Sequence, residues 1–214
     1  MGPRPHHRGL LLLAAVTAAA LCLLSIAFID GPLAIALSSV PRDSARIIQR
    51  IVGMFEVSFA FAISPYLYGA VVIVAGLVTV RLKKRSLLPW ALLFLGLSHV
   101  TARFVADILK PPFSRLRPFE AIGSDGWHDT FFAPIGNSFP SGHAVHFWSL
   151  FFPLAVLFPR YQLPLLVLPV LISAARIAVN DHYLSDILAS IALAAIVSWA
   201  YAIAVLERGV RRAA

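Results

Sequence analysis

Charge and cysteine are both scarce in this 214-residue chain. Only 13% of its residues are charged, about half the share of an ordinary soluble domain, roughly 25%. Cys22 is the single cysteine, which excludes a disulfide framework and a cysteine metal centre. It lies inside an apolar run and reads as a small buried apolar residue. The formal charge is +8, yet no basic stretch is interleaved with aromatics as a nucleic-acid groove requires. Internal repeats and low-complexity tracts are also missing, so residues 1–214 read as one domain.

What the chain has in excess is apolar sequence, 59% of its residues. The excess falls in six blocks, residues 9–28, 57–80, 87–109, 144–158, 163–179 and 184–206. A spanning helix needs about 20 predominantly apolar residues. The expectation is an all-α integral membrane protein, a bundle of six transmembrane helices. The first block follows Arg4 and Arg8 like a signal peptide. It is as long as a full span, however, and no small-x-small cleavage site follows, so it reads as a retained helix. Between spans one and two, residues 41–55 place Arg42, Arg46 and Arg50 four apart, with Ile47, Ile48, Ile51, Val52 and Phe55 gathered opposite. That spacing predicts a short amphipathic helix, lying flat on the leaflet or packed on the bundle as a plain connector.

Basic residues set the orientation. With the N-terminus cytoplasmic, the inner segments hold Arg4, Arg8, Arg81, Lys83, Lys84, Arg85, Arg160, Arg208, Arg211 and Arg212 against one acid, Glu207. This is the positive-inside pattern, and it puts both termini in the cytoplasm.

Three polar stretches then fall on the outer side together: Lys110 to Pro118 after span three, Phe139 to His143 before span four, and Arg176 to Asp186 between spans five and six. Lys110, Arg117 and Arg176 are three cations that repel one another unless an anion joins them. Arginine forks match phosphate oxygens and lysine adds a point charge. Ser141 and Gly142 open a helix whose first N–H groups lack intrahelical partners, a ready anion site that a glycine lets the ligand approach. His182 and Asp186 are one helical turn apart, so the carboxylate can fix the ring's tautomer and leave the other nitrogen to attack. His143, on a different element, is placed to protonate a departing alkoxide and then activate water. The expected site is therefore His182, His143 and Asp186 as catalytic residues. Lys110, Arg117, Ser141, Gly142 and Arg176 bind the phosphoryl group.

Each piece alone has a plainer reading: interfacial anchors, a turn with a helix cap, a structural His–Asp pair. Their shared order and side argue for chemistry. The remaining histidines are weaker candidates. His99 reads as a hydrogen-bonded core residue, His146 as a neighbour that could support His143, and His6 and His7 as tail residues. Arg115, Trp127, His128, Phe131 and Phe132 border the site, touching substrate or only seating the loop. After the phosphate roles are assigned no histidine–carboxylate cluster is left for a metal, so no metal or cofactor is expected.

The three stretches resemble the signature of the type-2 phosphatidic acid phosphatase and vanadium haloperoxidase superfamily: lysine, six residues, Arg-Pro; Pro-Ser-Gly-His; Ser-Arg, five residues, His, three residues, Asp. Lys110 with Arg117-Pro118, Pro140 to His143, and Arg176, His182 and Asp186 match. Ala175 stands where the family has serine. The resemblance implies a phosphohistidine on His182, His143 as acid–base, metal independence, vanadate sensitivity and a phosphorylated membrane lipid as substrate. Within the bacterial members it leans to undecaprenyl pyrophosphate. Lipid A 1-phosphatase, phosphatidylglycerophosphate or phosphatidic acid phosphatase, and lipid phosphotransferase are the alternatives. The implied location is the bacterial inner membrane with the site on the periplasmic face. Two other classes stay open: an anion or lipid transporter using the same cations without turnover, and a haloperoxidase.

Overall fold

The computed structural model describes residues 5–82, 86–122 and 131–213. The regular elements of the described residues are all helices: α1 Pro5–Phe28, α2 Asp30–Leu37, α3 Arg42–Ser58, α4 Leu67–Leu82, α5 Leu88–Phe113, α6 Pro118–Ala121, α7 Gly142–Leu157, α8 Gln162–Ala178, α9 Leu184–Tyr201 and α10 Glu207–Ala213. A 3₁₀ turn precedes α8, and a π-helical turn at Ala202–Leu206 joins α9 to α10.

α7 is the central element. It packs on α5, α8 and α9, and Ala144, Val145, Phe147 and Leu150 lose almost all contact with solvent. Helix α1 lies along α9. It presents a stripe of mostly small residues, Leu11, Ala15, Ala18, Cys22 and Ser25, all buried. Their 3–4 spacing is one helix face, and Ala194 and Ala195 of α9 share a buried cluster with Leu11 and Ala15. Small residues let membrane helices approach closely. Cys22 is buried as expected, its thiol donating to the Ser185 carbonyl at 3.3 Å. Helices α4 and α5 meet through Gly69 and Gly96, where a Cβ on Gly96 would come within 2.6 Å of Ile73.

The outside is apolar. Leu13, Val16 and Leu23 of α1, Val71, Val74 and Leu77 of α4, and Leu163, Val167 and Leu171 of α8 are exposed. Apolar area on that scale is untenable in water and ordinary against lipid. Four helical stretches are long and apolar enough to cross a bilayer: Gly9–Phe28, Leu88–Ala121, Pro159–Ala178 and Leu184–Arg212. α4 and α7, at 16 residues each, run about 24 Å at 1.5 Å per residue, short of a hydrocarbon core of about 30 Å. The structure thus holds four full-length candidates and two short apolar helices where the sequence predicts six spans.

The apolar block at 57–80 is not one helix. α3 continues to Ser58, residues 59–66 turn, and α4 starts at Leu67. Ala60 adopts φ 58°, and Pro65 disfavours helix in the residue before it. Residues 41–55 do form the expected amphipathic helix, as part of α3. Ile48 and Val52 pack toward Phe147, Phe151 and Ile172, while Ile47, Ile51 and Met54 stay exposed. Its apolar side is therefore shared between the bundle and the surroundings.

Candidate active site

Local chain geometry brings the three polar stretches together. Helix α5 ends where Pro111 and Pro112 each remove a backbone donor, and Ser114, in the left-handed region at φ 32°, caps it with its N–H on the Lys110 carbonyl. Helix α8 ends at Ala178, and Asn180 just beyond it is also left-handed at φ 59°, a conformation asparagine tolerates. The Asn180 amide donates to the Ala34 carbonyl at 2.9 Å. The chain then turns through Asp181 and His182 into α9. The Asp186 carboxylate receives the Tyr183 N–H at 2.9 Å, satisfying a free donor at the helix start.

His182 and His143 face one another across the site, ring centroids 6.5 Å apart. His182 is fully buried. Its Nδ1 lies 3.4 Å from Asp186 Oδ2 and 3.2 Å from Ser138 Oγ, and Ser138 itself donates to Asp186 Oδ2 at 2.6 Å. With the Ser138 proton spent on Asp186, its oxygen accepts from Nδ1–H. That arrangement assigns the proton to Nδ1 and leaves a lone pair on Nε2. Burial drives the His182 pKa down to about 4, helped by Arg117 and Arg176 and opposed by Asp186. The ring is neutral at physiological pH, as a nucleophile must be.

The cations stand alongside. Arg176 Nη2 is 3.0 Å and Arg117 Nη1 3.7 Å from the two oxygens of Asp181. Lys110 Nζ donates to the Asn137 carbonyl at 2.6 Å, and Arg117 Nε to the Asn137 side-chain oxygen at 3.2 Å. Arg117 and Arg176 thus share the Asp181 carboxylate, and Lys110 stands beside them on the Asn137 backbone. Arg176 Nε is buried with no hydrogen-bond partner among the described residues. Ser141 caps α7, accepting from the Ala144 N–H at 3.4 Å. Arg103, paired with Asp107, donates to the Gly142 carbonyl at 3.0 Å. A Cβ on Gly142 would sit 2.6 Å from Arg103 Nη1, so glycine is the residue this packing accepts. All eight residues expected for the site therefore lie in one neighbourhood.

Four features had no place in the sequence reading. Glu56 Oε1 lies 2.6 Å from His143 Nε2, and its pKa is held down chiefly by that hydrogen bond. Phe61 lies against His143 at 4.5 Å between ring centroids. Ser138 bridges His182 and Asp186. Asp30 reaches across from the start of α2 to Arg115. The last had a visible signal, because a lone carboxylate at the end of an apolar span is costly unless paired.

Arg115 borders the site through Asp186. It is buried, with Nη1 2.8 Å from Asp186 and Nη2 2.8 Å from Asp30, and its guanidinium lies between the rings of Phe131 at 4.2 Å and Tyr183 at 3.8 Å. Ser25 and Ser185 complete the shell around Asp30. Its job is to hold the loop and Asp186. Phe132 is exposed, while Trp127 and His128 lie outside the described residues, as do the side chains of His6 and His7. His99 is a core residue bonded to Ser149 Oγ at 2.8 Å and the Pro65 carbonyl at 3.0 Å. His146 packs edge-on against Phe61, His99 and Phe147. Ala175 packs among apolar residues near Phe147 and Ile172.

Fold and site together define a helical membrane protein with a facing histidine pair set among clustered cations. The chain belongs to the PAP2 superfamily, whose family model matches residues 91–209. It is 32% identical over 126 residues to a lipid A 1-phosphatase of Rhizobium johnstonii, covering 55% of this chain and 49% of that one. A lipid A 1-phosphatase of Rhizobium etli is 32% identical over 123 residues, 53% and 50% of the two chains. The chain thus spans about half the length of the curated relatives it matches. In fold it is similar to a transmembrane PAP2-type phosphatidylglycerolphosphate phosphatase from Bacillus subtilis, with TM-score 0.52 and 18% identity over 87% of this chain and 93% of that one.

Proposed function

We propose that this chain is a metal-independent lipid phosphatase working through a phosphohistidine on His182. The observation that carries the reading is the 6.5 Å separation of the His143 and His182 rings beside Arg117 and Arg176, which share the Asp181 carboxylate, and Lys110. The Nε2 lone pair of His182 attacks phosphorus, the bond from phosphorus to the lipid oxygen breaks, and the departing oxygen takes a proton from His143. His143 then removes a proton from water, whose oxygen displaces His182 and releases inorganic phosphate. Lys110, Arg117, Arg176 and the amides at the start of α7 stabilise charge on the equatorial oxygens, usually the larger share of catalysis.

A lipid monophosphate suits the site better than a pyrophosphate. Arg103 is engaged by Asp107, and Arg115 by Asp30 and Asp186. Arg117 and Arg176 have one carboxylate, Asp181, between them and Lys110 bonds a backbone carbonyl, so these three carry the charge available to a single phosphoryl group. Together with the lipid A 1-phosphatase relatives this favours a lipid A-like sugar phosphate over undecaprenyl pyrophosphate. Six spans, cytoplasmic termini and a site opening at the outer face of the inner membrane fit the loop charges.

The test is phosphate release by the purified protein from lipid A, phosphatidylglycerophosphate, phosphatidic acid and undecaprenyl pyrophosphate. Turnover is expected to be fastest on a monophosphate and to vanish in His182→Ala, with an acid-labile phosphoenzyme trapped in the parent protein. Unchanged turnover in His182→Ala would sink the reading.

A further inference from the structure

The leaving lipid oxygen is a poor leaving group, and a general acid must hold its proton before the bond breaks. His143 is badly placed to do so by itself. Arg117 and Arg176 crowd the same pocket, and a positive ring beside two guanidinium groups is repelled. His182 faces it from the α8–α9 turn, His146 lies one turn deeper on α7, and Arg103 reaches Gly142 from α5. None of these is an anion. The carboxylates already described are committed elsewhere: Asp181 to Arg117 and Arg176, Asp186 to Arg115 and Ser138, Asp107 to Arg103.

Glu56 is the exception. Its carboxylate meets His143 Nε2 at 2.6 Å, a distance that marks a charge-assisted hydrogen bond. The Ala62 N–H donates to the Glu56 carbonyl, closing the turn that also lays Phe61 against the same ring. Glu56 and Phe61 both fall outside residues 91–209, the part matched by the family model.

We propose that Glu56 is a positioning residue that favours the protonated ring of His143 and orients it for leaving-group departure, with Nε2–H held by the carboxylate and the Nδ1 proton delivered to the lipid oxygen. Losing that proton leaves a neutral ring still bonded to Glu56, poised to accept a proton from the incoming water. The inference rests on His143 being the acid of the reaction above.

The experiment compares Glu56→Gln and Glu56→Asp with the parent protein on two substrates, a short-chain phosphatidic acid and p-nitrophenyl phosphate. kcat/KM reports steps up to phosphoenzyme formation, and the aryl oxygen leaves without needing a proton. Glu56→Gln is expected to lower kcat/KM for the alkyl phosphate about 100-fold, within the usual range for a general acid, and at least tenfold less for the aryl phosphate. The alkaline limb of the alkyl profile should move to lower pH. Glu56→Asp, which retains the charge one methylene short, should restore part of the loss and stands in if the glutamine variant does not fold. Equal losses on both substrates in the variants that fold, or no loss and no movement of the limb, would overturn the proposal. Failure of the underlying reading shows separately, as turnover that survives His182→Ala.

Discussion

Arg115 and Asp30 meet at 2.8 Å with both side chains buried, joining the start of α2 to the carboxylate that orients His182. Breaking a buried pair from one side leaves an unpaired charge and typically costs about 3–5 kcal/mol. Asp30→Ala should therefore lower the Tm in detergent substantially and reduce turnover with it. The double variant Asp30→Leu with Arg115→Met should lose less stability than the sum of the two single changes. Strict additivity in the melting curves would show that the two residues are not coupled.

Ser138→Ala removes the hydroxyl that bonds both His182 Nδ1 and Asp186 Oδ2. A hydrogen bond to a charged group is worth about 1.5–3 kcal/mol, so kcat should fall about 10- to 100-fold while KM changes little. Ser138→Thr should recover part of it. A KM effect with kcat intact would place Ser138 in substrate binding instead.

The pH dependence follows from burial of His182. Its folded pKa, about 4, is below the ordinary histidine value of about 6.5. Protonation occupies the attacking lone pair, so activity is lost as pH falls through about 4. The acid limb of kcat/KM, which reports the free protein, should lie there rather than near 6.5. The stability contribution has the same sign. Between about pH 6.5 and 4 the unfolded chain binds the proton and the folded one does not, so this contribution is full above 6.5 and declines as pH drops. An acid limb at 6.5 in a folded sample would contradict the burial argument.

Gly142→Ala puts a methyl group 2.6 Å from Arg103 Nη1. The guanidinium is held by Asp107 and cannot swing away without losing that pair. Overpacking of this kind usually costs about 1–3 kcal/mol. The variant should melt earlier and bind vanadate, a phosphate mimic, more weakly. Unchanged inhibition by vanadate would mean the start of α7 does not touch the phosphoryl group.

The proposed metal independence has a direct check. Among the described residues no cluster of three or more His, Cys, Asp or Glu side chains could hold a metal ion. Prolonged dialysis against EDTA should leave phosphate release unchanged, and a loss restored by adding a divalent cation would require a different mechanism.

The convergence of Lys110, Arg117, Ser141, Gly142, His143, Arg176, His182 and Asp186 was legible because clustered cations and a helix start demand an anion, whatever the fold. The supports of those residues were not. Asp30 lies 85 positions from Arg115, and Glu56 lies 87 from His143, on a helix whose pattern spoke only of amphipathicity. Ser138 is one serine in a loop. The break at 59–66 was hidden for a different reason. Phe59, Phe61 and Ile63 keep the stretch apolar through the turn, and composition reports the preferred environment of a segment without reporting whether its backbone is helical. Only Pro65 hinted otherwise. The helix on α3 was legible from its spacing, while its division between bundle packing and exposed apolar residues depended on where α7 and α8 lie.

The arrangement around Arg115 also orders events during biogenesis. Asp30 leaves the ribosome first, its cationic partner some 85 residues later, and Asp186 only with the last long helix. Until that helix inserts, a carboxylate or a guanidinium waits in an apolar setting, where an unmatched charge is expensive. Without α9, Arg115 would keep Asp30 and lack Asp186, half of its counter-charge. The chain of charges from Asp30 through Arg115 to Asp186 is therefore closed only when α9 has joined the bundle.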